Sequence, residues 1–331
     1  MLITEMNAIT IADDLVEFLE NHPSHSACFH SVFPHAVNLL IGEEELITLT
    51  NQDDIMPMGL IVDSSVSFTQ HLKIGEKVVL NIDRFAAANG VFIVTLRDAE
   101  IWETQPLISL APRPGDEIAR INLQLVRWVV RQPALGLLPL LPRLTNQPAY
   151  LNPMNDNLYS RYVADDLEAF TAAIGTSDWE DALNIADRLV GFGMGSTPAC
   201  DDFLAAYLVV FKTALVLDPQ RFSWVREFNK AIANKAKNRT TLISAIMLRH
   251  AADGKIGRSY QRLIQTCMFN IKSDLAHLAG QVMQHGATSG GDFLLGLVCA
   301  LNWYRNNATD FKKEGERAWV ESISMKPVPM V

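Results

Sequence analysis

The stretch Ala36-Val37-Asn38-Leu39-Leu40-Ile41-Gly42-Glu43-Glu44-Glu45-Leu46-Ile47-Thr48-Leu49 decides how the first third of the chain folds. Two short runs of branched and apolar residues flank a Gly-Glu turn, the pattern of a tight antiparallel pair. Similar runs follow at residues 59–62, 78–82 and 91–96. Turn residues separate them: Asn51-Gln52-Asp53-Asp54, Gly75 and Asn89-Gly90. The intervals are too short for crossover helices. The reading is a mostly antiparallel sheet, closed as a small barrel or paired as a sandwich, after a short amphipathic opening at residues 11–20.

Residues 101–153 change character. Pro106, Pro112, Pro114, Pro133, Pro139, Pro142, Pro148 and Pro153 punctuate them, leaving room for one helix at residues 116–131. Beyond residue 159 apolar side chains recur at three- and four-residue spacing, which predicts helices at 163–173, 179–190, 198–217, 223–237, 240–253, 257–270, 273–285 and 290–305. The segments 198–217 and 290–305 are apolar nearly all round, as helices at the centre of a bundle are. The fold class is therefore α+β. A β-rich unit over residues 1–112 precedes a mainly α-helical bundle over 113–331, with a charged and then Pro-rich tail from Thr309.

Composition narrows the function. Of 331 residues 49% are hydrophobic and 20% charged, enough apolar material for a large core. With 28 basic against 37 acidic side chains the net charge is −9, which disfavours nucleic acid as a partner. No apolar run reaches the ~20 residues that span a bilayer, so no membrane partner is expected. Cys28, Cys200, Cys267 and Cys299 follow no CxxC or metal-ligand spacing, as in a reduced, cytoplasmic protein. The pattern implies no cofactor and no metal.

One segment is not explained by core building: Gly191-Phe192-Gly193-Met194-Gly195-Ser196-Thr197-Pro198-Ala199-Cys200-Asp201-Asp202-Phe203-Leu204. Alternating glycines permit backbone angles closed to other residues. Thr197 reads as an N-cap and Pro198 as the first helical residue. A glycine-rich loop thus runs into the start of a buried helix, whose free N–H groups suit an anion. A second segment echoes it: Gly286-Ala287-Thr288-Ser289-Gly290-Gly291-Asp292-Phe293-Leu294. There Ser289 reads as a cap and Asp292 as its reciprocal partner in a capping box. Brought together, Gly193, Gly195, Ser196, Thr197, Thr288, Ser289 and Gly290 would bind one anionic ligand. Asp201, Asp202 and Asp292 are the candidate catalytic acids, because buried carboxylates are costly unless they are used or paired. Capping alone is the competing explanation for all three.

Between the two segments lies Asn238-Arg239-Thr240-Thr241, a cationic helix end followed by a new cap. It reads either as solvated surface or as a source of positive charge, with Arg239 the forked donor beside Thr240 and Thr241. Cys200, at a helix start, is a weaker candidate nucleophile. His250, His277 and His285 are unclustered in sequence.

These two segments, with the Thr240-Thr241 stretch and the early His35-Ala36-Val37-Asn38-Leu39, resemble the AllH-like family, whose typical form is GxGPGLTPSGDD followed by GHTSGxDxLxG. Met194 and Ser196 stand where the family has Pro and Leu, and Ala287 where many members carry His. The resemblance implies a carbamoyltransferase, or a subunit of a carbamoyltransferase complex, acting on a small anionic amide or ureide such as oxamate in allantoin nitrogen catabolism. The implied partners are carbamoyl phosphate or a carboxylate amide, and other subunits of that complex. In that reading the glycine-rich segments hold phosphate or carboxylate, an aspartate orients the attacking nitrogen and Arg239 balances charge. Two alternatives compete: a non-catalytic subunit that binds an anionic effector, and a hydrolase or ligase in which the aspartates hold a divalent cation.

Overall fold

A computed structural model of the chain describes residues 4–87, 90, 92–105, 110–145 and 157–307. The expectation for the tail from Thr309 lies outside the described residues, as does residue 91 of one predicted strand.

Strands β1 (Thr4–Ala12), β2 (His25–Val32), β3 (Ala36–Ile41), β4 (Glu45–Thr50), β5 (Gly59–Val62), β6 (Lys77–Leu80), β7 (Arg84–Ala87) and β8 (Phe92–Thr95) pair in the order β5-β4-β3-β2-β6-β7-β8-β1. A further β5–β1 pairing closes the ring, and β9 (Glu100–Trp102) extends the far end of β1. The result is an eight-stranded barrel, antiparallel except at β1–β8 and β4–β5 and where β9 joins β1. The β3–β4 hairpin has Leu39 opposite Ile47 and turns through Gly42 at φ 59°. Buried Phe29, Phe85 and Phe92 help fill the interior, with Phe29 edge-on to Phe92 at 5.4 Å. Sequence reading missed β1, β2, β7 and β9. β1 supplies the closure by reaching both β5 and β8, a long-range pairing that no local pattern announces.

Helix α1 (Asp13–Asn21) follows β1, and the helical body comprises α2 (Gly115–Val129), α3 (Leu141–Thr145), α4 (Leu158–Thr176), α5 (Trp179–Leu189), α6 (Ala199–Leu217), α7 (Val225–Ala236), α8 (Leu242–Ala252), α9 (Arg258–Met268), α10 (Leu275–Met283) and α11 (Ser289–Asn307). Side-chain caps set several starts: Asn157 on α4, Asp178 on α5, Thr241 on α8 and Asp274 on α10. At the centre lie α6 and α11, every residue of 199–211 and 290–301 buried.

The two central helices run side by side in the same direction. Thr197 meets Ser289 at one end, Phe203 faces Gly296 further along, and Phe211 packs on Trp303 with ring centroids 4.4 Å apart. A Cβ on Gly296 would stand 2.3 Å from the Phe203 carbonyl oxygen, so the close crossing requires glycine. Parallel neighbours place both N-termini, and both positive dipole ends, together.

The barrel docks on the body through acids meeting bases. Asp14 pairs with Lys255 (3.1 Å), Glu45 with Arg249 (2.7 Å) and Asp53 with Arg258 (2.7 Å). No helix among the described residues is long and apolar enough to cross a membrane.

Candidate functional site

The two glycine-rich segments meet where α6 and α11 begin. Thr197 Oγ1 and Ser289 Oγ are 2.9 Å apart, one hydroxyl donating to the other. Gly193 and Gly195 adopt φ of 132° and 96°, angles that favour glycine. A Cβ on Gly193 would lie 2.2 Å from the Ala199 nitrogen, so the loop folds tightly over the helix start. Gly290 is needed for a different approach: its Cβ would strike the Val282 carbonyl at 2.0 Å.

Two details of capping differ from the sequence reading. Pro198, not Thr197, occupies the N-cap of α6, and no side chain caps it. Asp292 makes no capping box with Ser289. Its Oδ1 instead accepts from the Leu137 N–H at 2.6 Å, across to the loop before α3. That loop comes so near because Gly136, at φ 55°, carries no Cβ; one would sit 2.2 Å from the same oxygen.

Backbone carbonyls take part of each helix start, Phe192 O accepting from Cys200 N–H and His285 O from Gly290 N–H (both 3.0 Å), while among the described residues no acceptor engages the N–H groups of residues 193–197 or of Ala287 and Thr288. Met194, Gly195 and Ser196 are exposed. Two aligned N-termini carry roughly one positive elementary charge between them.

The three aspartates have unlike surroundings. Asp201 is fully committed: Oδ1 accepts from Gly191 N–H (2.8 Å), and Oδ2 accepts from Thr240 Oγ1 (2.5 Å) and Ser244 Oγ (2.6 Å). It pins the glycine loop to the start of α8. Burial raises its carboxyl, and these donors oppose the rise. Asp202 is 4% exposed and its Oδ2 has no partner among the described residues. Burial pushes its carboxyl well above the usual range, the Ser289 and Thr197 hydroxyls offset that, and the nearby Asp292 and Asp201 charges add to it. Asp292 is wholly buried and its Oδ2 is likewise without a partner among those residues. Burial pushes it up to about 7, against the Leu137 N–H and the Thr288 hydroxyl. Both Asp202 and Asp292 are shifted toward the protonated form, Asp292 to about 7, and a protonated carboxyl donates to an anion rather than repelling it.

Thr240 and Thr241 reach the site as struts. Thr241 caps α8 through Ser244 N–H and donates to the Ser196 carbonyl at 2.5 Å. Arg239 does not stand free beside them: its guanidinium pairs with Asp187 of α5 at 3.3 Å. Cys200 is buried, and burial pushes its thiol well above its ordinary value, opposite to the activation considered from sequence. Among the described residues no group of three or more His, Cys, Asp and Glu side chains could hold a metal ion.

Sequence reasoning missed the barrel's contribution. Asp54 Oδ1 accepts from Ser259 N–H at 3.0 Å, capping α9 from outside the helical body, and its Oδ2 accepts from Ser259 Oγ at 2.8 Å. His285 Nε2 lies 2.9 Å from both Asp54 Oδ2 and Ser259 Oγ, so this histidine is clustered after all. Burial would raise the Asp54 carboxyl, but His285 and Ser259 outweigh it and hold it below its usual value. Tyr260 packs against His285 (4.7 Å) and Phe293 (4.5 Å). His285 directly precedes Gly286, so the barrel braces the second glycine segment. Asp54 lies far from His285 in sequence, and its only sequence signal was a turn.

Two family profiles match the chain, one described as oxamate carbamoyltransferase subunit AllH over residues 189–301, the other as the AllH family N-terminal domain over residues 7–101. The chain belongs to the AllH family. The first AllH match contains both glycine segments and the Thr240-Thr241 stretch between them, and the second covers most of the barrel. No solved structure matches this AllH chain.

Proposed function

We propose that the joined N-termini of α6 and α11 bind a small anion, and that the chain is a carbamoyltransferase subunit acting on an oxamate-like amide in the cytoplasmic breakdown of allantoin nitrogen. The observation that carries this reading is the Thr197–Ser289 contact, which brings two glycine-rich helix starts together beside a buried, half-unpartnered Asp202. The family description supports the reaction class and a place among partner subunits.

Carbamoyl transfer from carbamoyl phosphate to an amide nitrogen makes one C–N bond, breaks one C–O bond and releases phosphate; the nitrogen gives up a proton. N–H groups of residues 193–197, with those of Ala287 and Thr288, hold the anionic oxygens and stabilise charge developing on the carbamoyl oxygen. The Thr197 and Ser289 hydroxyls lie between them. The unpartnered oxygens of Asp202 and Asp292 exchange the proton, Asp292 being poised near neutrality to give or take it. Asp201, with both oxygens engaged, is a positioning residue in this scheme, as are Thr240 and Thr241. Asp201's commitment also weighs against the divalent-cation alternative.

Calorimetric titration with oxamate, and phosphate release from carbamoyl phosphate in its presence, test the reading. Asp202→Asn should abolish binding or turnover with the unfolding midpoint nearly unchanged. Saturable binding without turnover by the isolated chain would favour the effector-binding subunit, and unchanged binding in Asp202→Asn would refute the site.

A further inference from the structure

A hollow of about 270 Å³ opens between α6, α7 and α8. Lys212 of α6 lines it, ten residues beyond Asp202 and hence roughly 15 Å along the helix from the glycine segments. Its walls are cationic. Arg226 and Lys230 of α7 and Arg249 of α8 join Lys212, against one acid, Asp253. Arg249 is committed to Glu45 and to the Glu44 carbonyl. Among the described residues no carboxylate pairs with Lys212, Arg226 or Lys230. Three unneutralised cations around one concavity are notable in a chain of net charge −9.

The hollow is built rather than incidental. Helix α8 ends in a Schellman arrangement, Gly254 N–H donating to Ala251 O (2.9 Å) and Lys255 N–H to His250 O (2.8 Å). Gly254 takes φ 84°, and a Cβ there would stand 2.8 Å from Lys212 Cγ. The helix end thus makes room for the lysine stem. Asn229, 2% exposed, also lines the hollow; its Nδ2 donates to Leu208 O (3.0 Å) and Ala252 O (3.1 Å). These bonds fix the amide, and its Oδ1 is buried without a donor among the described residues.

We propose that this hollow is a second binding site, for a small dianion. Phosphate monoesters and hydroxy-dicarboxylates share that chemistry, and the volume sits just below the usual range for small-molecule sites. Lys212, Arg226 and Lys230 neutralise the charge. The occupant would adjoin Arg249, the side chain that ties α8 to the barrel.

The test is calorimetric titration of the full chain, at fixed ionic strength, with glycerol 3-phosphate and, separately, malate. One of them should bind saturably at one per chain, and the responding probe tells phosphate from carboxylate. Arg226→Gln with Lys230→Gln, at exposed positions, should weaken that binding at least tenfold. Lys212→Met, which keeps the stem against Gly254, should do the same, whereas Thr197→Val at the other site should leave it intact. No saturable binding of either probe, equal binding in the charge variants, or loss in Thr197→Val instead would overturn the proposal.

Discussion

Asp201 and Asp202 are neighbours of one residue type on one buried helix, and they should respond to substitution in opposite ways. Asp201→Ala deletes three hydrogen bonds to a carboxylate and orphans the Gly191 N–H and the Thr240 and Ser244 hydroxyls. A bond to a charged group contributes about 1.5–3 kcal/mol net. The three share one acceptor and do not add independently, so the expected loss is about 3–5 kcal/mol, the range seen when one partner of a buried charged network is removed. Asp202→Asn removes a carboxyl that burial already disfavours as an anion and whose Oδ2 has no partner among the described residues. It should leave stability unchanged at acid pH and raise it slightly at pH 8, where the native carboxyl is pressed to ionise. Urea unfolding followed by far-ultraviolet circular dichroism measures both. Thr240→Val and Ser244→Ala, each removing one donor, should fall between at about 1 kcal/mol. A loss under 1 kcal/mol for Asp201→Ala, or an equal loss for Asp202→Asn, would refute the division of roles.

Further predictions concern the surroundings. The folded-state value near 7 for Asp292 lies about three units above its ordinary one, so the native state binds the extra proton. This group therefore makes stability fall as pH rises from about 4 to 7, by at most about 4 kcal/mol, and Asp292→Asn should flatten that slope in pH-dependent urea midpoints. A steeper slope in the variant would contradict the assignment. Gly296→Ala forces a methyl against the Phe203 carbonyl, which should cost about 1–3 kcal/mol and weaken oxamate binding as the helix starts separate. His285→Ala should weaken the bracing of the second glycine segment, lowering oxamate affinity severalfold while the far-ultraviolet spectrum is unchanged.

What the sequence made legible follows from range. Helices α4 to α11 were readable because a 3.6-residue apolar period is a local signal, and their ends moved by only a few residues. The hairpin at Gly42 was equally local. β1 and β2 carry polar residues among their apolar ones; β1 takes its conformation from the distant β5, β8 and β9, and β2 from β6 as well as its neighbour β3, so their patterns fell below notice. At the candidate site, glycines at alternate positions and acids on an apolar helix stood out because core building does not explain them, with capping the one competing local use. That Asp201 is spent on Thr240 and Ser244, that Asp292 reaches Leu137, and that Asp54 of the barrel touches His285 depended on tertiary contacts. The pairing of Arg239 with Asp187 was hidden for the same reason, since Asp187 lies on another helix.

The account stands or falls on whether both helix starts hold one anion. Amide resonances of residues 193–197 and 287–289, followed in an isotope-labelled chain titrated with oxamate, report this directly. Both sets should move together along one saturating curve, and both should stay still in Asp202→Asn. Movement of one set alone, or separate midpoints for the two, would contradict a shared site.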